Sequence, residues 1–405
     1  MNSYIELCRQ AALDILKPGK KELDRGLSLH RESLVFDAYG FAPRGIVDSK
    51  KLQDAVASGA SREKIRALTE EMEAISNATI PDVGEEFRRA WDASGVSCIF
   101  QNAGEEGQDP LKLLKRMARY IYISDKMSGY VKKAANPEEI MSLKADGRRA
   151  FYLTCNGVPL AGRWEHVEDE LEYIHIFFQL GCRMMHLTYN RQNLLGSGCG
   201  ECFDGGLSDM GRAAILEMNK TGIIVDVAHS GNRTGLEAAK ASQKPMVASH
   251  SVCASLNNHC RAKTDDTIRA IAESGGYVGI CCIPGFLGGN QDIAAFLDHI
   301  DYIAKNFGVD YVAIGTDCGY VSTRNAEERA KAGQIPAGLP GFEGLWPARS
   351  LDNTYVEEPH SLAWTNWPLF TVGLVQRGYK DEEIQKIIGG NVLRVARAAL
   401  LPGGN

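Results

Sequence analysis

The stretch "IIVDVAHSG", Ile223 to Gly231, is an apolar, β-branched run broken by one aspartate and ending on a histidine and a glycine. Its length and β-branched content fit a buried strand, and the glycine after the histidine marks the turn that ends it. Just before it, "SDMGRAAILEMNKTG" has helical periodicity, with Ser208 as N-cap and a closing glycine. Just after it, "NRTGLEAAKASQ" is helical again. A strand held between two helices is the unit of a parallel sheet with crossover connections.

The unit recurs along the chain. Short apolar runs stand at Leu34 to Ala38, Val96 to Gln101, Ala150 to Cys155, Arg183 to Tyr189, Ile223 to Ala228, Met246 to Ser249, Tyr277 to Cys282 and Tyr311 to Gly315. Helical patterns such as "DELEYIHIFFQLG", "DDTIRAIAESGG" and "IAAFLDHIDYIAKNFG" lie between them. Eight strands with intervening helices predict an α/β chain folded as one (β/α)8 TIM barrel over residues 1–405, filled by layers of strand side chains. A helical extension covers 1–33. Lid-like insertions follow strand one, at about 42–95 with "SREKIRALTEEMEAIS", and strand eight, at about 320–366, where tryptophan, proline and glycine concentrate.

Composition narrows the function. The 405 residues are 44% hydrophobic and 24% charged with a net charge of -6, which leaves no basic footprint for nucleic acid or an anionic membrane. The first residues lack the apolar core of a signal peptide and no apolar run reaches membrane-spanning length, so a cytoplasmic location is expected. The eleven cysteines then read as thiols rather than a disulfide framework.

In such a barrel the reacting groups project from the carboxyl ends of the strands. Those ends carry Asp37 to Phe41, Gln101 and Asn102, Asn156, Tyr189 and Asn190, His229, His250, Cys281 and Cys282, and Asp317. A single strand-end histidine is more often a hydrogen-bonded core residue than a ligand. Two on adjacent strands, His229 and His250, can aim at one point and bind a divalent ion. Asp317 could ligate the same ion or take a proton from its water. Cys155, Cys281, Cys282 and Cys318 lie at or beside strand ends and offer thiolates, though strand alternation keeps Cys155 and Asn156 from facing inward together.

"LTYNRQNLLGSGCGECFDGGLSDMGR", "VDVAHSGNRT", "PMVASHS", "RAKTDDTIRAIAESGGYVGI", "VAIGTDCG" and "IIGGNVLRVA" together resemble consecutive signatures of the membrane (renal) dipeptidase family of zinc hydrolases. The resemblance runs from about Ala150 to the C-terminus and more weakly from Leu34. It implies a metallo-dependent hydrolase barrel with two zincs that cleaves dipeptides, His229 and His250 as second-zinc ligands, and Asp317 as catalytic residue. It further implies Arg261 as the partner of the substrate carboxylate, a task that suits a planar guanidinium fork. Family dimers make a homodimer the expected assembly.

The same resemblance exposes four departures. Where the family's first strand ends in Asp-Gly-His-Asn-Asp, this chain has "DAYGF", so Tyr39 and Phe41 stand in place of the first-zinc ligands. Asn156 stands where the bridging glutamate belongs, with Glu165 and Glu168 as nearby carboxylates, and Tyr189 replaces a histidine that contacts the reacting group. The expectation is one zinc per chain on His229, His250 and Asp317, with Tyr189 as an oxyanion donor and Tyr39 and Asn156 lining the substrate site. A metal-dependent amide hydrolase acting on a small carboxylate-bearing substrate is the leading reading. A small-molecule binding module without turnover, and a lyase or isomerase on the same scaffold, stay open.

Overall fold

Alternating inward residues close the strands into a ring. The computed structural model describes residues 3–104, 107–163, 165–333 and 360–400. Among them are β1 (Phe36–Gly40), β2 (Cys98–Asn102), β3 (Val131–Lys133), β4 (Arg149–Cys155), β5 (Cys182–His186), β6 (Ile224–Asp226), β7 (Val247–Cys253), β8 (Ala262–Lys263), β9 (Tyr277–Ile280) and β10 (Val312–Ile314). All pairings are parallel, in the order β1-β2-β4-β5-β6-β7-β9-β10. Backbone bonds from Asp317 N to Tyr39 O (3.0 Å) and from Phe41 N to Cys318 O (3.0 Å) bring β10 back to β1.

Each of the eight barrel strands coincides with an expected run, and helices stand where periodicity places them, including Asp209–Thr221 capped by Ser208 on Gly211 N. Two short strands escape the sequence pattern. β3 pairs beside the start of β4, and β8 beside the end of β7. The fourth expected strand, Arg183 to Tyr189, stops three residues sooner, at His186.

Inside the ring, Phe36, Phe100, Tyr152, Met184, Ile224 and Val247 form a buried floor, closed from below by Val392 and Val395 of the last helix, Asn391–Leu400. Full burial of each such side chain contributes about 1.5–3 kcal/mol. This layer therefore holds the barrel whatever sits above it. The insertion after β1 folds as three helices, Ser49–Ala57, Arg62–Thr79 and Pro81–Ser94. The tryptophan-bearing stretch expected as a lid after strand eight falls largely at 334–359, outside the described residues. Among the described residues no helix is long and apolar enough to cross a membrane.

Candidate active site

Two β-bulges aim the central rings. β1 carries an extra residue between Asp37 and Gly40 against β2, and β7 one between Ala248 and Ser251 against β9. A bulge bends its strand and re-aims a side chain. Here the Tyr39 and His250 rings meet across the barrel, nearly parallel, with centroids 3.8 Å apart. The bulged Ser249 carbonyl crowds β9 and β10, where a Cβ on Gly279 or Gly315 would lie within 2.0 or 1.9 Å of its oxygen. Glycine at both positions is what lets the β7 bulge form.

His229 and His250 converge, with their Nε2 atoms 2.9 Å apart. Asn190 Oδ1 accepts from His229 Nδ1 at 2.6 Å, which leaves the His229 lone pair on Nε2. Ser249 Oγ engages His250 Nδ1 at 2.8 Å. Burial, reinforced by the Arg261 guanidinium, holds both imidazoles well below their ordinary pKa and hence neutral. Neutral rings with their outer nitrogens anchored are in the state that binds a metal. Tyr189 lies flat on His229 with centroids 4.1 Å apart.

Two further donors stand beside His250, and the sequence analysis did not select them. His186 and Asp226, both fully buried, bring Nε2 and Oδ2 to 2.7 Å. Donor atoms of His186, Asp226 and His250 all lie within 4.8 Å of one another. Asp226 Oδ1 is fixed by the amides of Ala228 (2.9 Å) and Ser249 (3.0 Å). Burial alone would raise the Asp226 carboxyl, but His186 and the Ser249 contacts outweigh it and hold it below the usual carboxylate range. The signal for both residues was alternation: they sit two positions above Met184 and Ile224, which face the barrel interior.

The other side of the mouth is closed. Tyr39 donates its phenol O–H to Asn156 Oδ1 at 2.6 Å, so a residue at an expected first-ion position bonds the one at the expected bridging position. Glu165 and Glu168 are exposed. The Cys155 thiol donates to the Gly157 carbonyl at 3.1 Å, and burial pushes the Cys281 thiol up to about 12 and the Cys282 thiol well above its ordinary value. None of these groups belongs to the His186–Asp226–His250 set.

Asp317 sits on the closure seam in a left-handed backbone conformation, φ 54°, one that aspartate tolerates better than most residues. Loss of solvent pushes its carboxyl up to about 6, with Arg261 pulling the other way. It lines a cavity of about 270 Å³ together with Tyr39, Phe41, Asn156, Tyr189 and His229, and also a neighbouring one of about 760 Å³. Asp317 is outside the three-donor set. Arg261 is not a surface salt-bridge residue. It is 4% exposed, binds the His250 carbonyl through Nη2 at 3.1 Å, and lines neither cavity.

A parallel eight-stranded barrel with imidazoles and carboxylates at the carboxyl ends of its strands has the architecture of the metal-dependent TIM-barrel hydrolases. The model of the membrane dipeptidase family, peptidase family M19, matches residues 88–327, and the chain belongs to that family. It is 25% identical over 280 residues to dipeptidase tcpJ of Claviceps purpurea (strain 20.1), covering 68% of this chain and 57% of that protein. It is 28% identical over 266 residues to dipeptidase verJ of Clonostachys rogersoniana, covering 65% and 58%. The chain thus spans less than three-fifths of the length of these curated relatives. An amidohydrolase from Pseudomonas aeruginosa shares the fold at a TM-score of 0.66 and 23% identity, covering 92% of this chain and 98% of that one.

The residues present do not fit a two-ion centre. Phe41 has no donor atom, and Tyr39 and Asn156 are engaged with each other. They do fit one ion on the opposite side, where neutral imidazoles and a fixed carboxylate gather.

Proposed function

We propose that this chain is a metal-dependent hydrolase of dipeptide-like or N-acyl amino acid amides that works with one divalent ion, zinc in the first instance. The observation that carries this reading is the 2.9 Å approach of His229 and His250 beside a cavity that Asp317 also lines. When bound, the ion supplies a water of lowered pKa and polarises the amide carbonyl. Asp317, raised to about 6, is ionised at neutral pH yet basic enough to accept a proton from the attacking water. The Tyr189 phenol is the donor for the oxygen that gains charge. Burial keeps both imidazoles neutral, and the Arg261 charge held against the His250 carbonyl adds to it.

The cavity also suggests the charge of the substrate. Arg44, Arg66, Arg116 and Arg119 line it against Glu70, Glu73 and Asp317, and three of these arginines share the single Glu70 carboxylate at 3.0–3.3 Å. Glu73 is already paired with Arg329. The excess of guanidinium favours an anionic substrate, such as an amide carrying a free carboxylate.

The test is a panel of L,L- and L,D-dipeptides and N-acyl amino acids, followed by mass spectrometry with chelator-stripped and zinc-reloaded protein. Hydrolysis that needs zinc and disappears in Asp317→Asn is the expected result. Failure to cleave any member would overturn the reading. The Tyr39–Asn156 bond across the first-ion position favours the second reading, a binding protein without turnover, and thermal stabilisation by panel members with no product would mark it.

A further inference from the structure

His186 and Asp226 form a buried contact that hydrogen bonding does not explain. Their 2.7 Å separation is an ion-pair distance, yet neither ring nitrogen of His186 nor Oδ2 of Asp226 has a hydrogen-bond partner in aligned geometry. Both residues are fully buried. Leaving a buried polar atom unsatisfied costs about 1–3 kcal/mol, and more for a charged group, so several at one point call for a physical cause. Lone pairs that lie close together without pointing at each other are arranged to meet at a third atom.

We propose that one divalent first-row transition-metal ion is held by His186, Asp226 and His250, whose donor atoms all lie within 4.8 Å of one another, with a fourth position left open for water. His186 and Asp226 thereby supply what the Tyr39–Asn156 side of the mouth does not offer. This rests on the metal-dependent reading above only for His250. Two imidazoles and one carboxylate with an open position match the ligand chemistry of a catalytic zinc. Supports are already in place for two of the three donors: Ala228 and Ser249 amides fix Asp226 Oδ1 and so orient Oδ2, and Ser249 Oγ fixes His250, while His186 Nδ1 has no hydrogen-bond partner among the described residues. The carboxylates of Asp226 and Asp317 offset the nearby charges of Arg261 and Lys263, which would otherwise repel a cation.

The test uses the full chain, stripped with chelator and titrated with zinc by equilibrium dialysis and elemental analysis. Wild-type protein is expected to take up one zinc per chain, and X-ray absorption to count two imidazoles with Zn–N distances of about 2.0–2.1 Å. His186→Gln and Asp226→Asn, each checked for native circular dichroism, are expected to weaken zinc by at least the roughly 10–100-fold typical of damage to such a shell. Asp317→Asn, which removes a compensating charge but no ligand, is expected to lower affinity less than either. Wild-type affinity in both His186→Gln and Asp226→Asn would refute this ligand set while sparing the metal-dependent reading. Wild-type protein that takes up no zinc would remove both.

Discussion

Asp37 inside β1 and Asp226 at the end of β6 are tied down in the same way and face opposite fates. Each uses Oδ1 to accept the amide two residues on, Tyr39 at 3.3 Å and Ala228 at 2.9 Å, and the amide of a neighbouring strand segment, Thr316 at 2.9 Å and Ser249 at 3.0 Å. This local turn ties two staves together. The second oxygen makes the difference. Asp37 Oδ2 accepts from Thr316 Oγ1 at 2.7 Å and from Trp364 Nε1 at 3.1 Å, so its corner is saturated. Asp226 Oδ2 faces His186 without alignment, so its corner keeps coordinating capacity. One barrel mouth thus has a side satisfied by hydrogen bonds and a side poised for a ligand.

The strongest way to break the comparison is to remove the ring that meets His229 and also belongs to the three-donor set. His250→Ala is expected to lower zinc affinity by more than the ~10–100-fold that loss of a ligand's hydrogen-bond partner costs, and to abolish zinc-dependent hydrolysis. Retention of zinc by this variant, measured by elemental analysis, would place the ion elsewhere.

A pH experiment sharpens the saturated side. Burial pushes the Asp37 carboxyl up to about 7 against the pull of its Thr316 and Trp364 bonds. The folded chain therefore holds a proton that the unfolded chain releases near pH 4, and stability from this group falls as pH rises through about 4 to 7, then levels off. Asp37→Asn cannot ionise and is expected to lose that slope, whatever its absolute cost. Urea midpoints at about pH 4.5 and about pH 7.5 give the readout, and an unchanged slope in the variant would disprove the assignment.

The smallest effect is expected at the bond that closes the first-ion position. Tyr39→Phe removes the phenol from Asn156 and is expected to cost about 1 kcal/mol of stability while leaving zinc content at the wild-type level. A change in metal content would instead make Tyr39 part of the centre.

Much of this was legible before any coordinates. Apolar runs at the barrel spacing carried the eight strands, because a parallel sheet buried on both faces needs continuous hydrophobic stretches. His229, His250 and Asp317 stood out because they follow strand ends. His186 and Asp226 were passed over since each lies inside an apolar run, where a polar residue resembles an interruption rather than a donor. The expected fourth strand, extended to Tyr189, also drew attention past His186, the residue on which β5 actually ends. β3 and β8, of three and two residues, are too short to carry a periodic signal.

The sequence by itself determined the barrel and its strand order along the chain, since these follow from local pattern. Only the tertiary structure decided that Tyr39 bonds Asn156 and that His186, Asp226 and His250 share one point. Those contacts join residues as many as 117 positions apart through two bulges and a closed ring, and register of that kind is set by packing across the barrel rather than by neighbours in the chain.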